Sequence, residues 1–245
     1  MDPLSAALIG IFALVGAIVG ALAGFGTGII MLPILIFFFG IRESIPILTV
    51  AMLLTNGSRA WFNRGQITLP VVGWFALGAA PAAIVGGLIF ATAPAPALVR
   101  VLGLYLLLMV VYRHSKWQLT ARTKLWHFTP LGASTSIVSA VVGVSGPLIA
   151  PFFLGYGLLK GAYIGTDALA TVTMQGTRLA VFGGLDLVTG QTLLIGVGIG
   201  TVTFTGTYIG KRLLDILPER YFPYIIEATM IASGLRFLIW GTGRG

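Results

Sequence analysis

Residues 23–35 read AGFGTGIIMLPIL, a glycine-rich string that leads into a proline and lies between two apolar runs. A changed copy of this string, VVGVSGPLIAPFF, occupies residues 141–153. Three positions match at a constant offset of 118 residues: Gly28 with Gly146, Thr27 with Ser145, and Pro33 with Pro151. The two strings therefore have the pattern of an internal repeat.

A second pair of similar blocks follows the first pair. NGSRAWFNRGQI begins at Asn56, and QGTRLAVFGGLD begins at Gln175. Three of their positions match at an offset of 119: Gly57 with Gly176, Arg59 with Arg178, and Gly65 with Gly184. Two pairs of blocks in the same order, at nearly one offset, indicate a duplicated chain. In an apolar protein, duplication is typical of transporters whose site lies where the halves meet.

The composition is that of a membrane protein. Hydrophobic residues make up 57% of the chain and charged residues only 9%, against about 25% charged in ordinary soluble domains. The net charge is +8, but the basic residues lie in short loops between apolar segments, which is typical of membrane topology rather than of nucleic-acid binding. The chain has no cysteine, which excludes disulfides and thiolate metal sites.

The sequence divides into ten apolar segments, of which the second and the seventh are short. About 20 residues are needed to span a bilayer, so we expect each short segment to form a hairpin with the segment before it. The ten predicted segments are 4–23, 26–40, 43–62, 69–91, 96–113, 128–143, 146–158, 162–182, 189–210 and 220–240.

The distribution of basic residues predicts the orientation in the membrane. If segments alternate, only Arg42 and Arg244 fall on the side of the N-terminus. Nine fall on the other side: Arg64, Arg113, Lys116, Arg122, Lys124, Lys160, Lys211, Arg212 and Arg220. The positive-inside rule makes that other side cytoplasmic. We therefore expect loop 113–124 to be cytoplasmic and both termini to be external, in the inner membrane of a bacterium.

Five segments in each half is an odd number, so the second half is expected to be inverted relative to the first. The predicted fold is an all-α polytopic membrane protein of two inverted repeats, residues 1–118 and 128–245, joined by a basic cytoplasmic linker at 119–127. Re-entrant hairpins would bring both glycine-rich tips near the midplane, whereas full crossing would leave them at opposite surfaces. The short segments favour the re-entrant arrangement.

The glycine-rich tips are candidates for an anion site. Glycines allow a ligand to approach the backbone closely. Thr27 and Ser145 are suitable N-caps, and Pro147 fits the first turn of a helix. Two helix N-termini facing one cavity would bind an oxyanion through free N–H groups, although such glycines can also serve only close helix crossing. The predicted contacts at the tips are Gly24, Gly26, Thr27, Gly28, Val144, Ser145 and Gly146.

The second blocks add side chains to this prediction. Arg59 lies three residues after Asn56, and Arg178 three residues after Gln175, so each arginine shares a helix face with its amide. Their guanidinium groups suit oxyanions, although arginines near helix ends also snorkel to the headgroups. Two acidic residues within the spans, Asp167 and Glu227, are candidates for carrying a coupling proton, because such residues are costly in a membrane and often functional.

The strings GFGTGIIMLP and GVSGPLIAP, each followed by a block with an arginine, resemble the TauE/SafE sulfite-exporter family over nearly the whole chain. Where that family often has three successive glycines, this chain has Thr27 in one string and Val144–Ser145 in the other. The resemblance implies a transporter that exports sulfite, an organosulfonate or another small sulfur-containing anion. An anion channel or uncoupled facilitator is an alternative. An intramembrane enzyme is another, but the chain lacks a metal-ligand cluster such as HExxH. It also lacks the GxxxxGK[ST] motif that direct ATP drive would need, and we expect neither a cofactor nor a metal.

Overall fold

The computed structural model describes residues 3–23, 26–114, 123–213 and 222–239. These residues form α-helices, two short 3-10 turns and connecting loops, with no strand among them. The nine α-helices of the described ranges are α1 (Pro3–Ala23), α2 (Gly26–Phe62), α3 (Leu69–Thr92), α4 (Ala95–His114), α5 (Phe128–Val142), α6 (Gly146–Gly155), α7 (Lys160–Gly184), α8 (Gly190–Leu213) and α9 (Phe222–Ile239).

Helix α2 consists of two segments joined at Gly40. This glycine has φ +72° and ψ 169°, a conformation that other residues rarely adopt, so it interrupts the helix between a first segment at 26–39 and a second at 41–62. The second half has a similar break, where Gly157 (φ +98°) lies between α6 and α7. Each half thus contains a short helix followed by a long one.

Arg42 joins the break at Gly40 to helix α3 by hydrogen bonds. Its guanidinium group donates to the backbone oxygens of Phe90, Ala91 and Ala93, at 2.6, 2.8 and 2.5 Å. These oxygens lie at the C-terminal end of α3, where helix carbonyls lack intrahelical partners. The arginine therefore caps α3 and fixes the position of the Gly40 break at the same time.

The helices agree with the apolar segments predicted from the sequence. The second and third predicted segments are the two segments of α2, and the other eight correspond to single helices. Four stretches of the described chain are long and apolar enough to cross a bilayer: Thr27–Phe62, Leu69–Thr92, Ala95–Tyr112 and Gly190–Ile209. The protein is a helical, multi-pass membrane protein, as predicted. Most of the basic loop 113–124 and the C-terminal Gly245 lie outside the described residues.

Helices α3 and α5 cross at backbone contact through two glycines. A Cβ atom at Gly78 would lie 1.9 Å from the backbone oxygen of Thr129, and one at Gly132 would lie 2.2 Å from that of Phe75. Neither position has space for a side chain. Small residues at a crossing let helix backbones approach closely in a membrane, where dispersion rather than hydrophobic burial holds helices together.

The other main helix pairs are also crossed at glycines. Gly206 of α8 packs against α1, where its Cβ would meet that of Ala17 at 2.7 Å, and Gly103 of α4 faces the backbone oxygen of Gly234 on α9. The second segment of α2 and helix α7 lie in contact at the centre. This segment also packs against α8, and α7 against α3. The central pair therefore carries the residues that can face an interior site.

Candidate functional site

A cavity of about 60 Å³ lies where the central helices meet the glycine-rich strings. This volume is several times the roughly 10–15 Å³ that one water molecule needs, so the cavity suits a small ligand. Its lining comes from both halves of the chain: Thr27, Gly28, Met52, Thr55, Asn56, Arg59, Gly143, Val144, Ser145, Gly146, Asp167, Thr171 and Gln175.

Helix α7 presents one stripe of polar side chains to the cavity. Asp167, Thr171 and Gln175 are spaced four residues apart and therefore lie one above the other on a single face. Asp167 and Gln175 are buried, with 7% and 4% of their surface exposed. Burial of an ionisable side chain and an amide on one face of a membrane helix is costly unless the groups have partners. Such residues are therefore often functional.

The second segment of α2 supplies the opposite stripe. Met52, Asn56 and Arg59 follow one another at helical spacing, with Thr55 beside them. Nη1 of Arg59 donates to Oδ1 of Asn56 at 3.3 Å, so the amide and the arginine share a face, as predicted. This hydrogen bond holds the guanidinium group against the cavity wall.

The two glycine-rich strings meet at the cavity. A Cβ atom at Gly28 would lie 3.3 Å from Cγ2 of Val144, so residues more than a hundred positions apart are in direct contact. Thr27 and Ser145 are both buried beside them. Glycine at position 28 allows this approach, because any larger residue would press against the valine.

Helix α6 begins at this point, with Ser145 in the N-cap position and a proline in its first turn. The Ser145 side chain forms no capping hydrogen bond, which differs from the capping role expected of it. Free N–H groups at a helix N-terminus attract anions. On the other string, Gly26 is the first residue of α2, whereas Gly24 lies outside the described residues.

Two cavity residues carry a polar atom that the described protein atoms leave unsatisfied. Among these residues, buried Nη2 of Arg59 and buried Oε1 of Gln175 have no hydrogen-bond partner. Asp167 is attracted electrostatically to Arg59, but within the described chain the two form no direct salt bridge. Unsatisfied buried polar groups cost free energy, so these two atoms are candidates for contact with a polar ligand.

Arg178 occupies a different environment from Arg59, although the sequence makes them equivalent. It is 1% exposed and lies outside the cavity lining. Its Nη1 donates to the backbone oxygen and the hydroxyl of Ser139 on α5, at 2.5 and 2.9 Å. Arg59 thus lines the cavity and Arg178 does not, although buried Nε and Nη2 of Arg178 also have no hydrogen-bond partner among the described atoms.

Glu227 also lies away from the cavity. Its Oε1 is 2.6 Å from Nε2 of His114, a contact that joins α9 to α4. The His114 side chain is 68% exposed. Of the two acidic residues singled out from the sequence, only Asp167 faces the cavity.

Four lining residues were not identified from the sequence: Met52, Thr55, Gly143 and Thr171. Helical spacing could have found two of them, since Met52 lies four residues before Asn56 and Thr171 four residues before Gln175. Thr55 is tied across to α8 by a 2.6 Å hydrogen bond to Thr203, a contact that no local pattern indicates.

Comparison with known families agrees with this architecture. The family model described as Sulfite exporter TauE/SafE matches residues 8–237. The chain belongs to the TauE/SafE family. Members of this family are membrane exporters of sulfite or related sulfur anions, and the match extends through both halves, including the strings and blocks that form the cavity. Searches of curated proteins and of solved structures returned no significant match.

Proposed function

We propose that this protein is a secondary transporter that exports a small sulfur-containing anion, sulfite or an organosulfonate, through the cavity between α2 and α7. The observation that carries the proposal is the convergence of both glycine-rich strings and Arg59 on one cavity. Membership of the sulfite exporter family supports the substrate class.

Helix packing supports two inverted repeats, 1–118 and 128–245, around the linker 119–127. In this arrangement α1 corresponds to α5, and α3 corresponds to α8. The contact between α3 and α5 then has an equivalent in the contact between α8 and α1. In the same way, the second segment of α2 corresponds to α7, so its contact with α8 is equivalent to the contact of α7 with α3. Helix α4 corresponds to α9, and these two helices contact each other. Such equivalence is expected of a pseudo-two-fold axis, about which alternating access commonly occurs.

The proposed anion site combines two helix N-termini with one arginine. The first segment of α2 starts beside Thr27, and α6 starts at Gly146. Each N-terminus contributes roughly half a positive charge, and Arg59 adds a full one with Nη2 free to donate. Gly24 and Gly26 shape the first tip in this proposal, and Gln175 completes the wall. Arg178 supports the site from behind rather than contacting the anion.

The proposed membrane is the bacterial inner membrane, with the basic loop 113–124 cytoplasmic and both termini outside. An inside-negative potential favours the exit of an anion by about 2.3 kcal/mol per charge per 100 mV. Export therefore needs no coupling ion, whereas import would need one. If a proton is coupled, Asp167 is the better candidate to carry it, because it faces the cavity and Glu227 does not.

The test is counterflow of radiolabelled sulfite in proteoliposomes. Saturable counterflow is expected of a carrier, whereas a channel would give flux without exchange. Arg59→Ala should reduce the initial rate at least tenfold, because it removes the only guanidinium group among the described cavity residues. Arg64→Ala is the matched control, since Arg64 is exposed and stacks on Trp61, 4.8 Å from its ring. Sulfite flux no greater than in protein-free vesicles would contradict the proposal.

A further inference from the structure

The cavity has one wall of hydrogen-bond donors and one of acceptors. The donors are Nη2 of Arg59 and the N–H groups where α6 begins. The acceptors lie on the α7 stripe, where the Asp167 carboxylate and Oε1 of Gln175 face the same space. An anion with acceptor atoms alone would satisfy only the first wall and would leave the second unpaired.

The charges of the cavity restrict the charge of the ligand. Among the lining residues, one cation, Arg59, and one anion, Asp167, cancel each other. The two helix N-termini together contribute roughly one positive charge, which balances a monoanion. A dianion would leave an excess negative charge close to the buried Asp167 carboxylate, and like charges repel each other there.

We propose that the cavity selects small monoanions that carry their own hydrogen-bond donor, and that Asp167 is the specificity residue that accepts from this donor. The proposal rests on the transport function argued above and narrows its substrate class. A singly protonated oxyanion and a hydroxy- or amino-substituted sulfonate share this chemistry. Sulfate and unsubstituted alkanesulfonates do not, the first because of its charge and the second because they lack a donor.

The test compares the affinities of three probes for the purified full-length protein at mildly alkaline pH. Hydroxymethanesulfonate and ethanesulfonate have nearly the same shape and charge and differ by a hydroxyl against a methyl group. Sulfate is the dianion. The wild-type protein should bind hydroxymethanesulfonate about tenfold more tightly than ethanesulfonate, because the latter leaves buried acceptors unpaired. It should bind sulfate more weakly than either.

Asp167→Asn keeps the shape of the side chain but removes its charge. We expect this variant to bind sulfate at least tenfold better relative to ethanesulfonate, because the like-charge repulsion is gone, and to lose most of its preference for the hydroxyl group. Asp186→Asn is the matched control. Asp186 is an exposed aspartate beyond the end of the same helix and outside the cavity, and its substitution should leave all three affinities unchanged.

The outcomes separate this inference from the proposed function. Binding of all three probes with equal affinity by the wild-type protein would overturn the inference but leave an anion site in place. Binding of none of them, sulfite included, would contradict both. If Asp167→Asn does not fold, the comparison of the two sulfonates on the wild-type protein decides the matter by itself. Competition with hydrogen sulfite, at a mildly acidic pH where this monoanion predominates over sulfite, and with aminomethanesulfonate then distinguishes protonated oxyanions from substituted sulfonates.

Discussion

Nη1 of Arg178 donates to both the backbone oxygen and the hydroxyl of Ser139, at 2.5 and 2.9 Å. The same backbone oxygen accepts from the N–H of Gly143, which ends α5 in the left-handed conformation. Arg178 thus secures the last turn of α5 at the point where the chain turns toward α6. A cation is favourable there, because helix carbonyls at a C-terminus carry partial negative charge.

We expect Arg178→Ala to reduce the stability of the protein rather than the affinity of the site. Loss of hydrogen bonds from a charged group to α5 should cost about 2–3 kcal/mol. Thermal unfolding in detergent and the monodisperse yield measure this effect, and Arg178→Lys should restore part of it. An alanine variant with normal yield and melting temperature but no transport would assign Arg178 to the anion instead.

Arg59→Ala is expected to show the opposite behaviour. Arg59 is only partly buried, and its one side-chain hydrogen bond within the described chain is to Asn56, one turn away on the same helix. The variant should keep the wild-type melting temperature and lose at least tenfold in anion affinity. Arg59→Lys should recover only part of it, because an ammonium group lacks the planar fork that binds two oxygens. Unchanged affinity in the alanine variant would remove Arg59 from the proposed site.

Gly28→Val should disrupt the contact between the two strings. A Cβ atom at this position would lie 3.3 Å from Cγ2 of Val144. The two methyl groups of valine would therefore force the strings apart or fill the cavity. Anion binding, measured by isothermal titration, should fall below detection. Gly57→Val on the same helix is the control, since a Cβ there meets nothing within 4 Å. Equal affinities in the two variants would show that the contact is unimportant for the site.

Gly78→Ala should disrupt the crossing of α3 and α5. The added Cβ would lie 1.9 Å from the backbone oxygen of Thr129, so the helices must separate, and overpacking of this kind costs about 1–3 kcal/mol or more. Gly73→Ala on the same helix has open space and should be neutral or slightly stabilising. The difference in melting temperature between the two variants measures the effect, and equal values would contradict the close crossing.

The topology can be tested with single cysteines, because the chain has none of its own. Ser115→Cys in the basic loop should react with an impermeant thiol reagent only after the membrane is opened, whereas Gly245→Cys should react in intact cells. Nine basic residues on one predicted side are the reason for this expectation. Labelling of Ser115→Cys from outside would reverse or refute the proposed orientation.

The sequence by itself determined which segments form helices and which positions of the two halves correspond. Apolar runs of a given length become helices in a bilayer, because the backbone has no other hydrogen-bond partners there. The duplicated strings and the blocks that follow them singled out eight of the thirteen lining residues, among them Thr27, Gly28, Ser145 and Gly146. These features depend on local pattern and repetition, which are visible along the chain.

Only the tertiary structure decided how equivalent residues differ. Arg59 and Arg178 match in sequence, but one faces a cavity and the other is locked to Ser139. Asp167 and Glu227 were equal candidates, yet only Asp167 lies opposite Arg59, while Glu227 is paired with His114. The environment of a side chain depends on which helices pack around it, and that packing is set by contacts between distant residues. A repeat in sequence therefore fixes which residues correspond, whereas helix packing fixes which of them faces the cavity.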